Sequence, residues 1–284
     1  MIWVIANKAE EDGTFPTYRH YKKAFADGEI DIHCACQDDD FSFLKKDDVV
    51  LMRTRDENIN KKVADAQVKI GFKSTLESPL TNHLTHDKNA VKTLLRQIYA
   101  PFPETIDLFN VTGNRKYFVK PLYGENSTGI DESSICNSKE EVLSKYTSLL
   151  ESGIKPMIED YIEGFDVTTS VFKTGENGSL EICSVVTEAN NKHNLQTADT
   201  KKNFSFTAVK YQTTFVDMVA KKIFDAIGAK HYLRIDFRIA KELPYVIDIN
   251  MIPGLAPDGY MSICMKSHGV EYLDFIRKVV GTAS

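Results

Sequence analysis

The sequence predicts an α+β protein with more than one subdomain, and three observations carry the prediction. A chain of 284 residues, 42% hydrophobic and 26% charged, can build a large core and two or three subdomains. Its N-terminal part runs strand, helix, strand, strand, the pattern of a small α/β unit. From Asp166 onward the pattern is mostly strand, with one clear helix among the strands.

Taken in order, Met1 to Ala6 reads as a buried strand and Thr17 to Ala26 (TYRHYKKAFA) as a helix. Ile30 to Ala35 is a second strand, followed by the acidic turn Asp38-Asp39-Asp40, and Asp48 to Arg53 (DVVLMR) is a third. Residues 74–90 (STLESPLTNHLTHDKNA) are polar. Asp87 begins a helix whose Val91, Leu94, Leu95 and Ile98 keep helical spacing, and Pro101 and Pro103 end it. Lys116 to Pro121 is a strand, YGENSTGI a glycine-containing polar loop, Lys139 to Leu150 an amphipathic helix, and Pro156 to Ile162 a strand. VTTSVF and SLEICSVV form a hairpin around Gly175-Glu176-Asn177-Gly178. Residues 188–206 read as a long polar loop of the kind that serves as a lid. Val216 to Ile227 is a helix, and the strands HYLRIDFRI and PYVIDIN flank a turn at Ala240 to Leu243.

A net charge of -5 argues against a general nucleic-acid binder. No apolar run approaches the 18 residues of a membrane span. The N-terminus lacks the basic start and long apolar run of a signal peptide. The five cysteines, Cys34, Cys36, Cys136, Cys183 and Cys264, are scattered apart from Cys34-Ala35-Cys36, and read as reduced thiols in a cytoplasmic protein.

The stretch YVIDINMIPGL, residues 245–255, carries the chemistry. In a strand, side chains alternate between faces, so Asp248 and Asn250 point the same way. Arg234, Asp236 and Arg238 share a face of the preceding strand. Pairing of the two strands would bring Asp236 beside Asp248 and Asn250, oxygen ligands for a hard cation such as Mg²⁺ that keeps room for phosphate oxygens. A solvated face of alternating charge accounts equally for Arg234, Asp236 and Arg238, but less well for two polar residues in so apolar a strand. Lys120, near a strand end and before a loop with Gly124 and Gly129, can reach phosphate oxygens, although no Walker A sequence is present and an ordinary strand-end lysine is the commoner reading. In Ile158-Glu159-Asp160-Tyr161-Ile162-Glu163-Gly164, a strand runs into a polar turn that can form an adenine-binding hinge; taken alone, a surface turn with scattered acids is the preferred reading.

The order of these pieces resembles the ATP-grasp superfamily, and within it the D-alanine–D-alanine ligase branch. The series is DK at 87–88, FVKP at 118–121, the Gly/Ser/Thr loop at 124–130, IEDYIEG at 158–164, RID at 234–236, and DIN and PGL within 248–255. The resemblance implies a small N-terminal α/β substrate lobe (1–83), a central ATP-grasp lobe (84–162) and a C-terminal lobe with the metal and catalytic site (163–284). By it, Lys88 and Lys120 contact ATP phosphates and Ser127 lies in the loop closing over them. Glu159 receives adenine, Asp160 and Ile162 offer hinge backbone, and Asp166 holds ribose. Asp236, Asp248 and Asn250 bind Mg²⁺ or Mn²⁺, with Asp248 where the family usually has Glu. Arg234 and the amide of Gly254 steady a tetrahedral intermediate.

The implied activity is ADP-forming ligation of an amino acid, dipeptide or similar small acid to an amine through an acylphosphate. The implied partners are small carboxylates and amines, without nucleic acid or membrane, and the resemblance leaves room for a homodimer. Two departures bear on substrate. The Ser-Leu pair that holds a second D-alanine is replaced by Ala256-Pro257-Asp258-Gly259-Tyr260, and the N-terminal lobe lacks an evident match to the family's substrate-binding Glu and Ser. Instead Arg53 and Arg55 in LMRTR are similar to the arginine of other ATP-grasp amide ligases, placed to grip a carboxylate; a surface salt bridge reads equally well for either. The alternative activities are an ATP-grasp small-molecule kinase and a catalytically silent ATP-binding module.

Overall fold

The computed structural model describes residues 1–6, 32–35, 39–123, 127–174, 178–189 and 206–284, with backbone alone at 32–35, 189 and 206. The helix expected at Thr17 to Ala26 and the residues Cys36 and Asp38 lie outside the described residues, as does most of the 175–178 turn.

Among the described residues, three sheets organise the fold. The first is parallel, with β1 (Ile2–Ile5) between β2 (Ile32–Ala35) and β3 (Val49–Met52), and β4 (Lys73–Ser74) beside β3. Helix α1 (Glu57–Ile70) links β3 to β4, and the sequence reading did not contain it. Its ends are nonetheless written in the sequence. Asp56 accepts from the amides of Asn58 and Ile59, and Gly71 closes the helix at φ 84°, a conformation open to glycine. Ile59, Val63 and Ala66, spaced for one helix face, bury against Ile5, Val50, Met52 and Phe72. Burial of Ile59 or Val63 stabilises by roughly 1.5–3 kcal/mol each.

The polar 74–90 stretch holds a further helix, α2 (Pro79–His86), started by a Ser78 cap and Pro79. Helix α3 (Lys88–Gln97) follows directly, with Asp87 capping Asn89 and Ala90.

The second sheet is antiparallel, in the order β5 (Thr105–Ile106), β8 (Pro156–Asp160), β6 (Tyr117–Pro121), β7 (Ile135–Cys136). Helix α4 (Lys139–Glu151) lays Val142 and Leu149 against Tyr117, Val119 and Ile158. The strand expected to reach Ile162 ends at Asp160.

The third sheet has five antiparallel strands in the order β11 (Phe206–Tyr211), β10 (Ser179–Ala189), β9 (Phe165–Thr174), β12 (Tyr232–Ala240), β13 (Leu243–Asn250). Glu188, Ala189 and Phe206, placed in a loop by the sequence, belong to the paired ends of β10 and β11; the ladder overrides their polar setting. Alternation along β9 and β12 splits the sheet's two faces. Val167, Val171, Ile235 and Phe237 pack on α5 (Thr214–Ile227) and on Val91 and Leu95 of α3. On the opposite face, Phe172, Cys183 and Tyr232 meet α6 (Tyr260–Ser267) and α7 (Tyr272–Gly281). That leaves Asp166, Thr168, Asp236 and Arg238, further along the same face, to line a cleft.

Two contacts bring the first sheet to this cleft. Val4 and Leu51 pack with Leu255, Met265 and Phe275, and the backbones of Ser74 and Ser284 exchange hydrogen bonds of 3.1 Å. The end of β3, and with it Arg53, is thereby carried to the loop after β13.

Candidate active site

Pairing of β12 with β13 sets Asp236 opposite Asp248, as the sequence reading expected, and Arg234 opposite Asn250. The register then shifts between Asp236 and Phe237, so Ile247 has no partner residue on β12. A bulge of this kind leaves one residue outside the ladder. The carbonyl of Ile247 instead lies 3.4 Å from Lys120 Nζ, across the cleft wall.

Arg234 holds Asp236 through Nε at 3.1 Å and Nη2 at 2.8 Å. Thr168 Oγ1 donates to Oδ1 of the same carboxylate at 3.0 Å. Burial works against the Arg234 charge, but Asp236 and Asp248 outweigh it and push the guanidinium pKa upward. The ring of Tyr260 lies 5.4 Å from the same guanidinium, and burial beside Asp236 pushes its phenol upward too.

Lys88, Lys120, Ser127, Glu159, Asp160, Ile162, Asp166, Asp236 and Asp248 all line one cleft between the second and third sheets, enclosing about 1090 Å³ of space open to solvent. Lys88 is the first residue of α3, where a cation opposes the helix dipole. That placement suits a lysine facing an anion in the cleft. Ser127 sits beside the cleft at φ 57°. Gly129 follows at φ 76°, where a Cβ would come within 3.0 Å of Pro121. Residues 124–126 of that loop are outside the described residues.

Glu159 is 2% exposed and sits between two lysines. Lys92 Nζ is 2.7 Å from Oε1 and Lys120 Nζ 2.8 Å from Oε2. Burial alone would raise this carboxyl; the two ammonium groups win and hold it below the usual carboxylate range. Lys92 also donates to the Pro103 carbonyl at 2.6 Å and to Thr105 Oγ1 at 2.9 Å. Desolvation lowers its pKa even so. The sequence reading missed Lys92, although it stands one helical turn after Lys88.

Further along the cleft, Arg238 gathers the hinge. It donates to the Ile162 carbonyl at 3.0 Å, to Asp166 Oδ1 at 2.8 Å and to the Tyr161 hydroxyl at 3.0 Å. Asp160 pairs with Arg115 at 2.8 Å. Gly164 joins the two sheets at a point where a Cβ would fall 2.0 Å from the Ile239 carbonyl oxygen.

Arg53 and Arg55 reach the same end of β13. Arg53 Nη1 donates to the Pro253 carbonyl at 2.8 Å, and Arg55 Nη2 to Asn250 Oδ1 at 3.3 Å. Arg53 is 8% exposed and so does not stand at the surface. Gly254 follows the anchored Pro253, and a Cβ there would meet nothing within 4 Å, so packing does not explain the glycine.

Asp236, Asp248 and Asn250 offer two carboxylates and an amide, and among the described residues no group of three His, Cys, Asp or Glu could hold a metal. Such a sparse, all-oxygen set fits Mg²⁺, which completes its shell with phosphate oxygens and water, and does not fit zinc. Asn250 Oδ1 also accepts from the Ile252 amide at 2.9 Å, which fixes the start of the 251–255 loop. Of the 188–206 segment, residues 190–205, including Lys192, Lys201 and Lys202, lie outside the described residues. So do the side chains of Cys34 and Cys36. No helix among the described residues is long and apolar enough to cross a membrane.

Residues 110–281 match the model of the protein family described as D-ala D-ala ligase C-terminus. The chain is 24% identical over 231 residues to D-alanine–D-alanine ligase A of Bacillus cereus, covering 75% of this chain and 73% of that protein. It is 24% identical over 217 residues to the D-alanine–D-alanine ligase of Fusobacterium nucleatum, covering 75% and 72%. Among solved structures, the D-alanine–D-alanine ligase of Bacillus anthracis complexed with ATP superposes with a TM-score of 0.73 at 18% identity, over 99% of this chain and 96% of that one. The VanG D-Ala:D-Ser ligase of Enterococcus faecalis gives 0.71 at 15% identity, over 99% and 98%. At these identities the structural likeness speaks for the fold.

Proposed function

Because the chain belongs to the D-ala D-ala ligase C-terminus family, we propose that its cleft joins a small amino acid or dipeptide to an amine, forming ADP from ATP. The fold is ATP-grasp and the activity is that of an ATP-dependent ligase making a C–N bond. One observation carries the site reading: a single cleft receives Lys88, Lys120 and Glu159 from one side and Asp236 and Asp248 from the other.

In this reading, lobes 1–83, 84–162 and 163–284 divide the work. Glu159 and the 160–162 backbone receive adenine, Asp166 the ribose, and Lys88, Lys120 and Ser127 the phosphates. The carboxylate of the acid attacks the γ-phosphorus and ADP leaves, giving an acylphosphate. The amine then adds to its carbonyl carbon, and phosphate departs as the amide forms. Phosphoryl transfer needs positioning and charge neutralisation more than covalent help. Asp236, Asp248 and Asn250 would hold Mg²⁺, which supplies charge neutralisation at the phosphates when bound. Arg234, fixed by Asp236, and the Gly254 amide face the developing oxyanion. Arg53 and Arg55 stand at the substrate end. The two acids retained at the metal site, with Arg234 beside them, speak against a silent binding module.

We place the protein in a reducing compartment, which suits the buried thiols of Cys136, Cys183 and Cys264; pairing into a homodimer is compatible with this reading. Substrate choice departs from two D-alanines. Tyr260 occupies the cleft, and Ser262 turns its hydroxyl to the Ala256 carbonyl at 2.5 Å. The test is ADP release screened against amino acids and dipeptides, singly and in pairs, with Mg²⁺. Stimulation by a particular pair, and little by D-alanine alone, is expected. Rapid D-Ala-D-Ala synthesis would overturn the substrate reading and leave the ligase standing.

A further inference from the structure

Lys92 does not line the cleft, yet it is 7% exposed and charged, an expensive state unless it acts on something. Its ammonium donates to the Pro103 carbonyl and to Thr105 Oγ1, and forms an ion pair of 2.7 Å with Glu159 Oε1. Lys120 differs. It shares Glu159, touches the Ile247 carbonyl at a long 3.4 Å, and lines the cleft.

The charges decide what this cluster offers a nucleotide. Glu159 with Lys120 alone is neutral, and a desolvated carboxylate beside one lysine would claim its charge fully. With Lys92 on the opposite oxygen, the cluster carries one net positive charge, and that charge faces the cleft through Lys120. We propose that Lys92 is a positioning residue for the nucleotide: it neutralises Glu159 from behind, so that Lys120 remains available to the phosphates. The proposal rests on the nucleotide reading of the cleft and adds a residue that never touches the ligand.

The consequence is selective. Loss of Lys92 should weaken ligands through their phosphates and leave the nucleoside part nearly untouched. A residue that merely braced α3 against the Pro103 turn would affect both alike.

The experiment compares ATP, ADP and adenosine binding, the last by competition, in the wild-type protein, Lys92→Met, Lys92→Gln and the double variant Lys92→Met/Glu159→Gln. Both single variants should bind ATP and ADP at least tenfold more weakly, with adenosine changed less than twofold. Lys92→Gln keeps polar contacts to Thr105 and Pro103 and serves if Lys92→Met fails to fold. The double variant restores the net charge; because Glu159 also receives adenine, its recovery is read as the ratio of ATP to adenosine affinity, which should return toward the wild-type value. Parallel losses for ATP and adenosine, or a double variant no better than the single one, would overturn the proposal. Failure of the wild-type protein to bind ATP would instead remove the nucleotide reading beneath it.

Discussion

Arg234 grips Asp236 with two guanidinium nitrogens, and Asp236 stands directly across the strand pair from Asp248. The acid proposed to hold a cation is therefore oriented by the side chain proposed to steady the intermediate. Asp248→Asn should lower turnover by roughly 10²–10³-fold, as loss of a group stabilising transition-state charge does. The fold should survive, because Asp248 is half-buried at the cleft and not in the core. Steady-state ADP formation across a Mg²⁺ titration, with a thermal melt as control, measures both. Near-normal activity at limiting Mg²⁺ would sink the metal assignment.

Arg238 and Asp166 form an ion pair of 2.8 Å with each side chain about 10% exposed. Removing one member of such a buried pair leaves an uncompensated charge, at a cost of about 3–5 kcal/mol. Arg238→Met should show that loss in a urea denaturation series, along with weaker nucleotide binding. The same change combined with Asp166→Leu should recover stability but not binding. A single variant as stable as the parent would show that the pair does not organise the hinge.

Much of this site was legible because its chemistry follows strand alternation. Asp248 and Asn250 had to share a face, and Asp236 had to meet them if the two strands paired. The bulge at Ile247 was not legible, since nothing local in YVIDIN marks where the register slips. Lys92 was hidden for another reason: its partner Glu159 lies 67 positions on, so helical spacing alone made it a solvated lysine. Helix α1 could have been read from Asp56 and Gly71 at its ends; its lysines and asparagines masked the narrow apolar stripe of Ile59, Val63 and Ala66. Arg53 owes its burial to the docking of the first sheet against α6 and α7, a tertiary event that no local pattern announces.

Glu77 gives a pH dependence with a definite sign. Its Oε1 accepts from the amides of Lys230 and His231 at 2.9 and 3.1 Å, while Oε2 has no hydrogen-bond partner among the described residues. Burial raises its pKa above the ordinary 4.5, against the pull of His231. A raised carboxyl keeps its proton in the folded state after the unfolded chain has lost it. Its contribution to stability is thus complete below pH 4.5 and fades as pH rises through the folded value. Glu77→Gln should flatten that limb and leave the protein relatively more stable at neutral pH. Urea midpoints from pH 4 to 8 for both proteins test it; superimposable profiles would contradict it.

Gly164 stands where the central sheet hands over to the large one. A methyl group there would fall 2.0 Å from the Ile239 carbonyl oxygen, which belongs to a paired strand and has little room to yield. Gly164→Ala should cost about 1–3 kcal/mol, the usual range for forced overpacking. It should also raise the KM for ATP, since β8 and β9 carry Glu159 and Asp166 to either side of this turn. Unchanged melting and KM would show that the turn relaxes freely.

The central claim is a carboxylate activated as its acylphosphate before an amine attacks. The direct measurement supplies the acid found by the ADP screen together with ATP, Mg²⁺ and hydroxylamine, and analyses both the nucleotide product and the trapped acyl group. The account predicts a hydroxamate of that acid in step with ADP, and loss of both in Asp248→Asn. Formation of AMP and pyrophosphate in place of ADP would contradict it.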